Sequence, residues 1–372
     1  MSEERFSPGL AGVIAGETSI ACVEQGKLLY RGYAIADLAT TCTFEEVAYL
    51  LLNDELPSAK QLQGIKDKLA KYRPLRSEIL DALRRTPKDT PMMDVLRSMV
   101  SYTGHFDPVK GEGEEADRER AIWLTSQIGA IIAARFRLMN GNEPIEPMDG
   151  LSHAAQILYQ CHGEVPDPLA AELIDLTLVL YAEHDFNAST FTARVICSTM
   201  SDLTSAITGA IGALKGPLHG GANEAAMEML CKFKSGDEAK AWITNALANK
   251  EKVMGFGHRV YKNGDHRADI LEGKLRKLAH QLGEETWLDI YDAIRHPMVH
   301  EKHIFPNVDY PCGLTYYLLG LPLDLYTPLF VASRITGWSA HFLEQSIDNR
   351  IYRPLSIYVG HGERKVPPID ER

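Results

Sequence analysis

Apolar and polar positions follow two different periods along the chain. Near the N-terminus the alternation is strand-like. Gly12–Val23 and Lys27–Tyr30 flank Glu24-Gln25-Gly26, which predicts a short hairpin. From Thr43 onward helical spacing dominates. Thr43 with Glu46 makes a capping box ahead of Phe44, Val47, Ala48 and Leu51. Asn53-Asp54 and Pro57 stop that helix, and Ser58 with Gln61 starts the next. Residues 169–183 and 189–214 read as long apolar helices, the first led by Pro168. Small residues are dense from Thr204 to Ala213, so another helix can approach closely; this predicts a buried helix or a subunit interface. The rhythm changes at Lys215, where Gly216-Pro217 breaks the helix. Charged amphipathic helices follow over about 236–302, and Pro306, Pro311 and Gly313 mark a second break. An apolar helix over about 326–345 and a polar tail close the chain. The two breaks predict a smaller domain inserted into a larger helical one. The expected fold class is all-α (mainly helical) with a minor N-terminal β-hairpin.

A chain of 372 residues, 45% hydrophobic and 24% charged, has the composition of a folded globular protein of about two domains. Disorder, collagen and coiled-coil architectures are excluded. No uncharged apolar run reaches the ~18 residues of a membrane span; Leu325–Leu343 comes closest and contains Arg334 and His341. Met1-Ser2-Glu3-Glu4-Arg5 is acidic and lacks an apolar core, so no secretory leader is expected. A net charge of −11 argues against nucleic acid as partner. It also means that an anionic substrate must be held by local arginines working against the global field. The six cysteines are scattered without a C-x-x-C pair, which predicts buried free thiols in a cytoplasmic protein.

Several polar residues stand alone where charge is otherwise absent. His219 is framed by Gly216, Gly220 and Gly221, on a loop whose backbone can approach a ligand closely, although a helix break with an incidental histidine would look the same. His258 follows Gly255-x-Gly257, which lacks the third glycine and preceding strand of a dinucleotide site. Arg259, Lys262 and Arg267 come next and suit a phosphate-bearing ligand or a solvated basic face. Asp309 is the one charged side chain between Lys302 and Asp324; it must pair with a cation or have its pKa raised toward general-base range. Arg334 is equally isolated, with no acidic residue at i±3 or i±4, so it needs a bound anion or a long-range salt bridge. His184, at the end of an apolar helix, either joins such a site or complements the helix dipole. A zinc site built from His184, His219, His258 and Asp309 is disfavoured, because none of these histidines stands at H-x-x-x-H spacing from another. A purely helical interaction module would leave Asp309 and Arg334 without a reason.

Gly-Pro-Leu-His219-Gly-Gly-Ala-Asn, Gly-Phe-Gly-His258-Arg-Val-Tyr-Lys and Pro-Asn-Val-Asp309, in this order and at these separations, resemble the citrate synthase family. Tyr30-Arg-Gly-Tyr33 and Glu183-His184-Asp-Phe-Asn-Ala-Ser-Thr extend the resemblance over nearly the whole chain. The resemblance implies a large, dimer-forming domain (1–215 and 315–372) and a small domain (216–314), with the site in the cleft between them. It implies condensation of acetyl-CoA with oxaloacetate and hydrolysis of citryl-CoA to citrate and CoA, at the entry to the tricarboxylic acid cycle. The alternative is a 2-methylcitrate synthase using propionyl-CoA. Asp309 would be the base, His219 the donor to the thioester oxygen, and His258 the group that polarises the keto carbonyl. His184, Arg267, Arg334 and a partner subunit's Arg353 would bind oxaloacetate. CoA would lie against Val253, Met254, Gly255 and Phe256, with Arg259 and Lys262 near its phosphates. A homodimer is implied, and no metal or resident cofactor. His266, Pro311-Cys312 and Thr90 depart from the family pattern, and the second of these lies near the acyl pocket.

Overall fold

The computed structural model describes residues 7–24, 27–258, 261 and 264–372. Among them are sixteen α-helices and one three-stranded antiparallel sheet, as the expected fold class requires. The sheet runs β1 (Ala21–Glu24), β2 (Lys27–Tyr30) and β3 (Tyr33–Ala34), with Ala21 opposite Tyr30 and Tyr30 opposite Tyr33. Its first strand is shorter than the Gly12–Val23 expected from sequence. The chain before Ala21 is held by side chains of a distant helix instead: the Ser19 N–H donates to Glu344 Oε1 at 2.7 Å.

Both predicted helix starts are present. Glu46 accepts the Thr43 N–H at 2.7 Å, and Gln61 accepts the Ser58 N–H at 2.9 Å. The single helix expected over 189–214 is two, Ala188–Ser198 and Leu203–Leu214. Met200 takes a left-handed conformation (φ 65°) and Asp202 caps the second helix at the Ser205 N–H, 2.9 Å away. The small residues let these two helices close on each other, and a Cβ at Gly209 would collide with the Ile196 side chain. The charged region over 236–302 forms three helices, Gly236–Ala248, His266–Leu282 and Glu285–His300, and the described residues between the first two are not helical. The inferred domain boundary at 315 falls inside the helix Asp309–Leu318.

The last helix, Tyr326–Ile347, is the hub of the core and is buried on nearly every side. It packs on the helices Glu114–Met139, Pro168–Tyr181, Ala188–Ser198 and Leu203–Leu214. Gly337 admits the segment Ala182-Glu183 so closely that a Cβ there would overlap the Ala182 carbonyl and the Glu183 carboxylate. Gly337→Ala is therefore expected to destabilise the fold by about 1–3 kcal/mol through overpacking. A thermal melt checks this, and an unchanged Tm would mean that Ala182-Glu183 yields freely.

After Ile347 the chain has no helix or strand before a single 3-10 turn at Ile369–Glu371, and Ile351, Leu355, Ile357, Tyr358 and Val359 are exposed, so the tail is less polar than expected. Among the cysteines only Cys161, Cys197 and Cys312 are buried; Cys22 and Cys42 are half-buried. Cys231 is exposed because it lies at the end of the short helix Ala222–Leu230. No helix of the described residues is long and apolar enough to cross a membrane.

Candidate active site

Segments far apart in sequence meet at one cleft of about 180 Å³. The first is the end of Pro168–Tyr181, whose last carbonyls have no helical partner. The Tyr30 hydroxyl donates to the Glu183 carbonyl at 3.0 Å and accepts the Glu183 N–H at 3.2 Å. That fixes the turn leading to His184, whose Nε2 lies 3.0 Å from the Tyr261 hydroxyl. Burial, then the charges of Arg267 and Arg334, push the His184 pKa well below its usual value. A neutral imidazole does little for a helix dipole, so His184 belongs to the cleft wall.

The second segment is the turn after Leu203–Leu214. A Cβ at Gly220 would strike the Leu214 carbonyl, so glycine is needed to bring His219 round. The Ser189 N–H donates to His219 Nε2 at 3.2 Å. An N–H can only donate, so in the neutral ring Nε2 is the acceptor and Nδ1 carries the proton. Burial, reinforced by Arg334, lowers the His219 pKa to about 4.

The third is the loop over 249–258, with Tyr261 and Asp265 beyond it. Gly255 (φ 81°) is pressed against Tyr310 with no room for a Cβ, and Asn307 N–H donates to its carbonyl at 3.0 Å. Gly257 N–H donates to Phe305 at 2.8 Å, so the loop is zipped to the strand-like stretch that precedes Asp309. His258 Nδ1 accepts the Tyr261 N–H at 3.3 Å and the two rings stack 4.5 Å apart; the His258 ring centre is 5.2 Å from that of His184. In the neutral ring the proton is then on Nε2. Arg267 is gripped by Asp265 through its Nε (3.0 Å) and Nη2 (2.9 Å), a buried bidentate pair. Asp265 also accepts the Val308 N–H at 3.2 Å, which ties the arginine to the residue beside Asp309.

Asp309 opens the helix Asp309–Leu318. Its carboxylate accepts the Tyr181 hydroxyl at 2.6 Å. Burial raises its pKa, with that hydrogen bond and the charges of Arg267 and Arg334 pulling the other way. Among the described residues Arg334 has no ion pair. Its Nε donates to the Tyr181 carbonyl at 2.6 Å and its guanidinium lies 4.7 Å from the centre of the Phe330 ring, where burial lowers its pKa. The cleft thus offers two buried cations for a small dianion, two imidazoles with defined proton positions, and a carboxylate of raised basicity.

Of the residues picked out from sequence, His184, His219, His258, Arg267, Asp309 and Arg334 line this one cleft. Arg353 does not. It is exposed on the tail, and its Nη1 donates to the adjacent Pro354 carbonyl at 3.5 Å. Val253 and Phe256 line a second groove of about 350 Å³ together with Lys250, Lys252 and Lys302; Met254 and Gly255 lie in the same turn. Arg259 and Lys262 lie outside the described residues. Sequence reasoning missed Tyr181, Ser189, Asp265 and Lys302. Of these, Asp265 alone carried a signal, as the cap two residues before Arg267. The H-x-x-x-H spacing does occur elsewhere, at His296 and His300 on an exposed helix face. Among the described residues no group of three or more His, Cys, Asp or Glu is placed to hold a metal ion.

The family model described as "Citrate synthase, C-terminal domain" matches residues 9–355. The chain belongs to the citrate synthase family. It is accordingly an acyltransferase of the citrate (Si)-synthase type, one that converts the acyl group to an alkyl group on transfer. It is 46% identical over 372 residues to 2-methylcitrate synthase 2 of Corynebacterium glutamicum, covering 98% of this chain and 97% of that one. It is 42% identical over 366 residues to citrate synthase 2 of Bacillus subtilis, covering 98% of each. Among solved structures it superposes with TM-score 0.91 and 33% identity on the citrate synthase of Thermoplasma acidophilum, covering 99% of this chain and 100% of that one. That structure is a ternary complex with carboxymethyl coenzyme A and oxaloacetate.

Proposed function

We propose that the protein condenses acetyl-CoA with oxaloacetate and hydrolyses the resulting citryl-CoA to citrate and CoA. The observation that carries this is the convergence of His219, His258, Asp309, Arg267 and Arg334 on one cleft. Arg267 and Arg334, with His184 beside them, bind the oxaloacetate carboxylates. Asp309 takes a proton from the methyl carbon of the thioester while His219 Nδ1–H donates to the thioester oxygen, where negative charge develops. The resulting carbon nucleophile attacks the keto carbon, and His258 Nε2–H stabilises the oxygen that becomes the hydroxyl. Water then cleaves the thioester and releases CoA. The CoA chain runs past Val253–Phe256, where Lys250, Lys252 and Lys302 supply cations for its phosphates. The chain needs no resident cofactor in this scheme, because CoA arrives as substrate.

The site lies between a large domain (1–215 and 315–372) and a small one (216–314), with the second crossing better placed in the turn after Leu318. The working assembly is a homodimer in the cytoplasm, with Arg353 reaching the partner's site. A groove of about 920 Å³ along Thr204, Thr208 and Gly209 supports the second copy as its occupant. Propionyl-CoA is the second candidate substrate, because relatives of near-equal identity carry both names. One extra methylene in an apolar pocket changes selectivity by only ~10–200-fold. Measuring CoA release with oxaloacetate and each thioester decides between them. A higher kcat/KM for acetyl-CoA is expected; a higher value for propionyl-CoA would reassign the protein as a 2-methylcitrate synthase. No release with either would sink both.

A further inference from the structure

Tyr181 is the last residue of the helix Pro168–Tyr181 and is 2% exposed, so by position it is an ordinary core aromatic. It makes two polar contacts that a core aromatic does not need. Its hydroxyl donates to Asp309 Oδ1 at 2.6 Å, and its backbone carbonyl accepts Arg334 Nε at 2.6 Å. Its ring rests on Phe330, 4.5 Å between centres, and Phe330 lines the same cleft. Burial and the Asp309 charge push the phenol pKa well above its usual value, so the hydroxyl remains a donor throughout the working range.

We propose that Tyr181 is a positioning residue for the base: its phenol holds one oxygen of Asp309, turns the other toward the substrate, and sets the carboxylate's proton affinity. This rests on Asp309 being the base. Opposed effects act on that carboxylate. Burial, with the Asp265 charge, disfavours its ionisation, and the short Tyr181 hydrogen bond, with the charges of Arg267 and Arg334, favours it. With the phenol in place part of the rise caused by burial is offset, and Asp309 is still more basic than a solvated aspartate. The Arg334 contact comes from the main chain, so the side chain governs the base without governing dianion binding.

Tyr181→Phe keeps the ring and removes one oxygen. The Asp309 pKa then rises, because the contribution lost is one that lowered it. The acid limb of kcat/KM against pH, measured by CoA release with oxaloacetate and whichever of acetyl-CoA or propionyl-CoA the wild type turns over faster, moves to higher pH by about one unit. Well below the wild-type acid limb the rate falls about tenfold, and on the plateau above both limbs by little. Calorimetric titration gives an unchanged oxaloacetate Kd. Site-specific 3-fluorotyrosine at 181, a stronger donor of nearly the same size, moves the acid limb the opposite way and supplies the test should the phenylalanine variant fold poorly. An acid limb that stays in place in both variants, with Asp309→Asn inactive, overturns the positioning role and leaves the base intact. An active Asp309→Asn overturns both.

Discussion

Asp309→Asn is expected to lower kcat by about 10²–10⁴-fold while the oxaloacetate Kd stays within about twofold. The substitution is nearly isosteric, and the asparagine oxygen can still accept the Tyr181 hydroxyl that now reaches Asp309 at 2.6 Å. The fold around the helix Asp309–Leu318 therefore has no reason to move. What disappears is the ability to take a proton from carbon. In the proposed scheme oxaloacetate binding draws on other groups: Arg267, clamped by Asp265, and Arg334, fixed by the Tyr181 carbonyl. CoA release measures the first effect and calorimetric titration the second. A variant that turns over normally but no longer holds oxaloacetate would make Asp309 a binding group and leave the proton transfer without an owner.

Mixing two dead enzymes should restore activity. Arg353 is exposed on the tail and outside the cleft of its own chain, so a role in the site requires it to reach a second subunit's cleft. Asp309→Asn and Arg353→Ala are each expected to be nearly inactive. Unfolded and refolded together in equal amounts, they give mixed dimers in half the population. In each mixed dimer one site carries both lesions and the other carries neither, so about a quarter of wild-type activity returns. If Arg353 serves its own chain, every site keeps one lesion and nothing returns. A dead mixture whose hybrid dimers are confirmed by mass would refute the shared site.

The parts of this site that were legible in the sequence are those where a residue type contradicts its surroundings. His219 and His258 sit among glycines, and Asp309 and Arg334 sit alone in apolar segments; all four line the cleft. The capping boxes at Thr43 and Ser58 were legible because the signal is local and its geometry follows from the spacing. Tyr181 and Ser189 were illegible for the opposite reason. An aromatic at the end of an apolar helix and a serine in a cap region look ordinary, and only the tertiary fold brings them to Asp309 and His219. The break at 199–202 is marked in the sequence only by the short polar cluster Ser198-Thr199 and Ser201-Asp202, which the apolar helical spacing on either side overrides. Met200 is left-handed and Asp202 caps the next helix, neither of which periodicity encodes. Arg353 has a motif but no place in a single chain's cleft.

The Tyr30 hydroxyl lines no part of the cleft, yet it secures the turn that presents His184. Anyone shortening the gene from its 5′ end meets a boundary there. Deleting the strand that carries Tyr30 removes no substrate contact, but it strips the Glu183 backbone of its donor and its acceptor. It also takes Leu28 and Tyr30 out of the core, so the product loses stability, and whatever still folds would pass a solubility screen with its site slack. Trimmed versions of this protein therefore have to be ranked by turnover rather than by yield.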